Sequence, residues 1–219
     1  MAGKSIRWGD GLRYSASLIL AKPVVVLPET LPVMLLSRCN LMPHGMLPLF
    51  IFEPRYRELL QHVLRMDRMF CVGFLSGEEE SDEGIDSFST AGLVRACIGH
   101  EDGTAHLVLQ GVKRVRLKSW TQREPFRLAE VVPLQTSVKD EGEVVELSAL
   151  LMERAAEVLR RGGAAEMAER VGSIEDPEVL ADFVAANFLG DASLRQPLLG
   201  MSVLDERLRY LLEVFQGEV

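Results

Sequence analysis

The side chains of this 219-residue chain that could do chemistry are four histidines, three cysteines and a charged cluster around Tyr56. The cluster lies in LPLFIFEPRYRELL (47–60), where Glu53 is followed by proline and by Arg55 and Arg57 on either side of Tyr56. An acid beside Arg-x-Arg could act as a general acid or clamp a phosphate. A general acid needs a partner carboxylate or histidine, and none stands nearby. The stretch therefore reads as a strand running straight into a helix, with Glu53 as the cap and Pro54 at the first helical position.

The other candidates are weaker. His44, His62, His100 and His106 are not spaced as ligand pairs with Cys39, Cys71 or Cys97. His100 and His106 flank the Glu101-Asp102-Gly103 turn and could face each other across a hairpin; two exposed turn histidines, with no metal, are expected there. Cys71 and Cys97 lie in apolar strands and read as inert core thiols. Three widely separated cysteines suggest a reducing compartment, so the cytoplasm is expected. Arg114, Arg116 and Lys118 share one face of a strand and could touch RNA phosphates. The acidic chain and the lack of interleaved aromatics favour a solvated face instead. Leu41, Met42, Pro43, Met46 and Leu47 form a loop too apolar for a purely solvated turn. They either contact an extended polypeptide or plug the core. No G-x-x-x-x-G-K-[ST] stretch occurs, so no phosphate cradle and no cofactor is expected.

Composition and charge organise the elements that must position these residues. A hydrophobic share of 47% with 26% charged residues is that of an ordinary globular protein with a real core. The most apolar stretch, SASLILAKPVVVLP, is broken by Lys22 and two prolines, so no membrane span is expected. Asp10 and Arg13 argue against a signal peptide. From Lys139 onward 17 acidic residues face 8 basic ones, leaving that part at −9 and the rest at +1. The acidic run EEESDEGID (78–86) reads as a solvated loop between strands. A boundary near TSVKDE separates a 30–137 region from a 138–219 region, after an extension over 1–29.

The first region is strand-like at 30–36, 45–52, 69–76, 91–100, 104–120 and 126–134. Asp102-Gly103 marks a hairpin, and Gly111 a bulge or bend. Tyr56, Leu59, Leu60, Val63 and Leu64 make one helical stripe. Six strands and one helix favour an antiparallel β-barrel. The second region reads as helices at 143–161, over AAEMAERV, from Asp176-Pro177 to Gly190, and after a Ser202/Asp205 capping box. The class is α+β. The helical part is too small to stand alone and is expected to pack on the barrel, near the 54–66 helix, leaving a cleft.

The order of these pieces resembles the N-terminal domain of Lon proteases (peptidase family S16) in a stand-alone form. The likeness rests on LPVMLL (31–36), MPHGMLPLFIFEPRYRELL (42–60), Gly92-Leu93-Val94, GVKRVRL (111–117), PF-x-x-AEV (125–131), Asp182 to Leu189 and RQPLLGMSVLDERLRYLL (195–212). Its most specific element is Phe52-Glu53-Pro54-Arg55-Tyr56, with Gly111 and Arg114 in a G-x-x-R-x-R strand; Pro197 and Gly200 depart from the usual pattern. The resemblance implies a PUA-like β-barrel followed by a helical subdomain, in a bacterial cytoplasmic protein. It implies a non-catalytic module that binds unfolded or partner polypeptide, without the ATPase or the Ser–Lys peptidase. An RNA-binding module using Arg114, Arg116 and Lys118 is the alternative.

Overall fold

The computed structural model describes residues 26–76 and 82–217. Most of the 1–29 extension, including the SASLILAKPVVVLP stretch up to residue 25, lies outside the described residues, as does the first part of the acidic run.

Six strands come first: β1 (Thr30–Ser37), β2 (Met46–Ile51), β3 (Met69–Leu75), β4 (Phe88–Gly99), β5 (Ala105–Gln122) and β6 (Arg127–Pro133). Helix α1 (Pro54–Arg65) joins β2 to β3. The strands hydrogen-bond in the order β2-β5-β4-β3-β1-β6, and β6 also pairs with β5. The 18-residue β5 makes this closure possible. One edge of it holds β2 at 105–110 and then β6 at 115–122, while the other edge holds β4. The five strands β5-β4-β3-β1-β6 therefore form a closed ring with β2 added outside it. The expected antiparallel arrangement needs one correction, since β1 pairs with β3 in parallel. The crossover through β2 and α1 returns the chain in the same direction, as a parallel pair requires.

Gly111 sits at a bulge, as expected. Gly92 pairs with Gly111 and Ala91 with Lys113, so Val112 is extra.

The C-terminal part consists of α2 (Glu141–Arg161), α3 (Ala165–Gly172), α4 (Pro177–Phe188), α5 (Ala192–Gly200) and α6 (Leu204–Gly217). Asp140 and Asp176 cap α2 and α4 by accepting from Glu143 N–H and from Glu178 and Val179 N–H. Every residue of α4 from Val179 to Ala185 is buried, which makes α4 the centre of the bundle. Helix α5 has no counterpart in the sequence reading, because Pro197 within it hides the helical signal. The expected capping box at α6 does not form: Asp205 instead accepts from Lys139 N–H at 3.1 Å and Asp140 N–H at 2.8 Å.

Among the described residues the helices of the C-terminal part meet the sheet chiefly at β4 and β5, and not, as expected, at α1. Helix α5 lies against β4 and β5. Phe88 packs into the helical core, and Gln196 donates to Phe88 O at 2.9 Å. Buried Asn40 donates to Ala192 O at 2.8 Å and to Gln196 Oε1 at 3.1 Å. The strand loop and the helices thus share buried polar contacts, which orient one against the other.

Candidate functional site

The Phe52–Tyr56 motif is a strand–helix junction. Glu53 is the N-cap of α1, but its side chain makes no capping bond and accepts from Arg55 Nε at 3.0 Å. Arg55 also lies over the Tyr56 ring at 4.5 Å. Tyr56 is buried and donates its hydroxyl to Leu35 O at 2.9 Å, pinning α1 to β1. Each motif residue except Phe52 is spent on this joint. Phe52 is 59% exposed.

The apolar loop divides in two. Leu41 and Met42 are each 2% exposed, and Pro43 is buried. Leu41 belongs to the sheet core and Met42 to the helical core, so the loop fastens the two together. These three residues plug the interior and have no surface for a ligand. Leu47 is half-buried against the sheet core, while Met46 is 36% exposed at the start of β2.

Beyond Met46 the strand alternates. Met46, Pro48 and Phe50 face outward; Leu47 and Leu49 are half-buried and Ile51 is buried. The stretch LPLFIF is apolar on both faces, and one face is open. Phe50 pairs across the sheet with His106, and His106 with Ile98 of β4. Phe50 is 49% exposed and Ile98 66%. The Phe50 ring lies 4.6 Å from the His106 ring and 5.8 Å from the Phe52 ring, centroid to centroid. Among the described strands β2 bonds only to β5. It is an edge strand bearing a row of exposed apolar side chains.

The two turn histidines meet as the hairpin predicts: His100 Nε2 and His106 Nδ1 are 2.8 Å apart. Among the described residues no group of three or more His, Cys, Asp and Glu is placed to hold a metal.

Of the trio Arg114, Arg116 and Lys118, the last two are exposed as a solvated face requires, and only Arg114 departs from it. Arg114 is 2% exposed and donates to Met201 O at 2.5 Å, to Thr136 Oγ1 at 2.7 Å and to Glu178. Burial pulls its pKa down, with the neighbouring Arg207 adding to the effect, while Asp182 and Glu178 oppose it. Lys118 is paired with Glu130 at 3.0 Å. Arg114 is buried because α4, α5 and the residue after α5 cover its end of that strand face, which strand alternation could not show. The acidic run is likewise not wholly solvated: Asp82 holds Arg123 at 2.5 Å and Arg127 at 2.8 Å.

Phe50 and Ile98 are the residues that sequence reading missed. The available signal was the two-sided apolarity of LFIF beside a proline, which is compatible with an edge strand and not a central one.

Residues 30–216 match the family model for the ATP-dependent protease La (LON) substrate-binding domain. The Lon protease of Desulfosudis oleivorans is 29% identical over 189 residues, covering 84% of this chain and 23% of its own. Lon protease 2 of Myxococcus xanthus is 30% identical over 195 residues, 86% of this chain and 24% of its own. The chain thus spans about a quarter of the length of these relatives. The N-terminal domain of Mycobacterium avium complex Lon protease superposes with a TM-score of 0.71 at 19% identity, over 87% of this chain and all of that one. A Lon N-terminal domain protein from Xanthomonas campestris gives 0.62 at 21% identity, over 84% and 97%. The chain belongs to the LON substrate-binding domain family.

Proposed function

We propose that this protein is a non-catalytic module that binds extended polypeptide along the outer face of β2, β5 and β4. The carrying observation is the edge strand β2 with Met46, Phe50 and the adjoining Phe52 exposed beside it. An edge strand offers backbone donors and acceptors to a further strand, and alternate side chains of that strand would lie on the apolar row. Aromatic side chains supply large contact area at low entropic cost. The family description, a substrate-binding domain of a protease, supports the same reading. Of the loop residues, Met46 belongs to this surface, Leu41 packs in the sheet core and Met42 in the helical core.

Binding of an alkylated, permanently unfolded model protein tests the proposal. Wild type binds it, and Phe50→Asp/Phe52→Asp loses at least about tenfold in affinity, the equivalent of roughly 1.4 kcal/mol. Equal binding by both proteins would move the site off β2; no binding by wild type would end the proposal.

A further inference from the structure

At its His100 end the apolar face runs into a cleft between α1 and the β4–β5 hairpin, with a volume of about 450 Å³. Arg57, Gln61 and Arg68 line one side, and Cys97, His100 and Thr104 the other. No carboxylate lines it, although the chain carries a net charge of −8. Neither Arg57 nor Arg68 forms an ion pair among the described residues. Asp102 feels the charge of Arg57, but its Oδ1 accepts from the N–H and hydroxyl of Thr104 at 2.9 and 2.7 Å.

Both arginines are anchored on fixed backbone. The Arg57 guanidinium rests against Gly103, where an added Cβ would lie 1.8 Å from Nη2. Gly103 has φ +80°, so the turn itself requires glycine and leaves room for the guanidinium. Arg68 donates its N–H to Val63 O at 2.9 Å, and its carbonyl accepts from Val94 N–H at 2.8 Å.

We infer that this cleft takes an acidic side chain of the bound polypeptide, so that the preferred segment carries Asp or Glu next to its apolar anchor. This rests on the polypeptide reading of the β2 face. The grounds are charge complementarity and continuity. Two guanidinium forks match the geometry of a carboxylate, and a concave cationic site concentrates anions. His100 lines the cleft and touches His106, whose tilted ring lies beside Phe50, so the cleft and the apolar face are continuous.

Fluorescence anisotropy with two labelled peptides tests this. Both alternate Phe and Leu with a polar residue, which is Asp in one and Asn in the other. Both are amidated at the C-terminus, so the only carboxylates are side chains. At low salt wild type binds the Asp peptide about tenfold more tightly than the Asn peptide. Arg57→Gln/Arg68→Gln brings the Asp peptide to the level of the Asn peptide and leaves the latter unchanged. Each single variant gives part of the loss, and Arg116→Gln, an exposed arginine elsewhere on β5, keeps the preference. Equal affinity of wild type for both peptides overturns the cleft assignment while the β2-face reading stands. A preference that survives the double variant also overturns it. Failure of wild type to bind either peptide overturns both readings.

Discussion

Arg114 of β5 reaches Glu178 of α4 across the junction of sheet and helices, with Nη2 3.3 Å from Oε1. Arg207 of α6 approaches the same oxygen at 3.4 Å and holds Asp182 at 3.1 Å. Two guanidinium groups and two carboxylates balance each other where Arg114, Asp182 and Arg207 are at most 2% exposed. Removing one member leaves a buried charge in excess, which costs about 3–5 kcal/mol in such sites. Arg114→Met is therefore expected to lower the urea midpoint strongly with little change in slope. Arg114→Met/Glu178→Gln should lose less than the sum of the two single changes, because the pair leaves together. A wild-type midpoint for Arg114→Met would show that the network does not hold the halves together.

Gly111 carries a second prediction. A Cβ there would lie 2.1 Å from Met42 O, a backbone atom that cannot swing away. The same glycine donates its N–H to Gly45 O at 2.9 Å, and its carbonyl accepts from His44 N–H at 2.9 Å. Gly111→Ala must push the loop off β5 and strain the packing of Met42 in the helical core. A loss of about 2 kcal/mol is expected, within the range for overpacked interiors. Thermal melting measures it, and an unchanged melting temperature would contradict the close approach.

These two residues also show where the sequence was legible. Gly111 marked the bulge because a glycine inside a strand-forming run signals a bulge, a bend or a close backbone approach. The strands, α1 and the long helices followed from local periodicity and caps, which neighbours in sequence determine. Arg114 was misplaced because its burial depends on helices 64 or more residues away, which cover its end of the strand face. The loop Leu41–Pro43 was ambiguous for the same reason: apolarity says that a surface is covered, not what covers it. Phe50 was hidden because an apolar run has the same appearance whether one face or both are enclosed.

Asp205 sets a pH dependence. Burial pushes its carboxyl pKa up, but the N–H donors of Lys139, Asp140 and its own backbone outweigh that and hold it below the ordinary aspartate value. A group whose folded pKa is depressed contributes stability above its unfolded pKa of about 3.9 and loses it as pH falls through the folded value. Asp205→Asn removes this contribution. The variant should melt below wild type at pH 7, by an amount that stays constant down to about pH 5. The gap should narrow below about pH 4, where wild type also protonates. A gap that stays constant to pH 2 would show that Asp205 does not titrate between folded and unfolded states.

The cysteines report on the cleft directly. Cys71 is fully buried, and burial pushes its thiol up to about 12, with Ser89 partly opposing. Cys39 is half-buried and also raised by burial, with Arg195 opposing. Cys97 is half-buried and lines the open cleft beside Arg57 and Arg68. Since the thiolate is the reactive form and must be reached by the reagent, native alkylation at pH 8 should modify Cys97 first. Cys39 should follow slowly, and Cys71 should react only on unfolding. Mass spectrometry of the digested protein assigns each site. Saturating Asp peptide should then slow Cys97 without changing Cys39, because of the three cysteines Cys97 alone lines the cleft that takes the carboxylate. Labelling of Cys71 at the rate of Cys97 would contradict the burial of β3, and a Cys97 rate indifferent to the peptide would place the ligand outside the cleft.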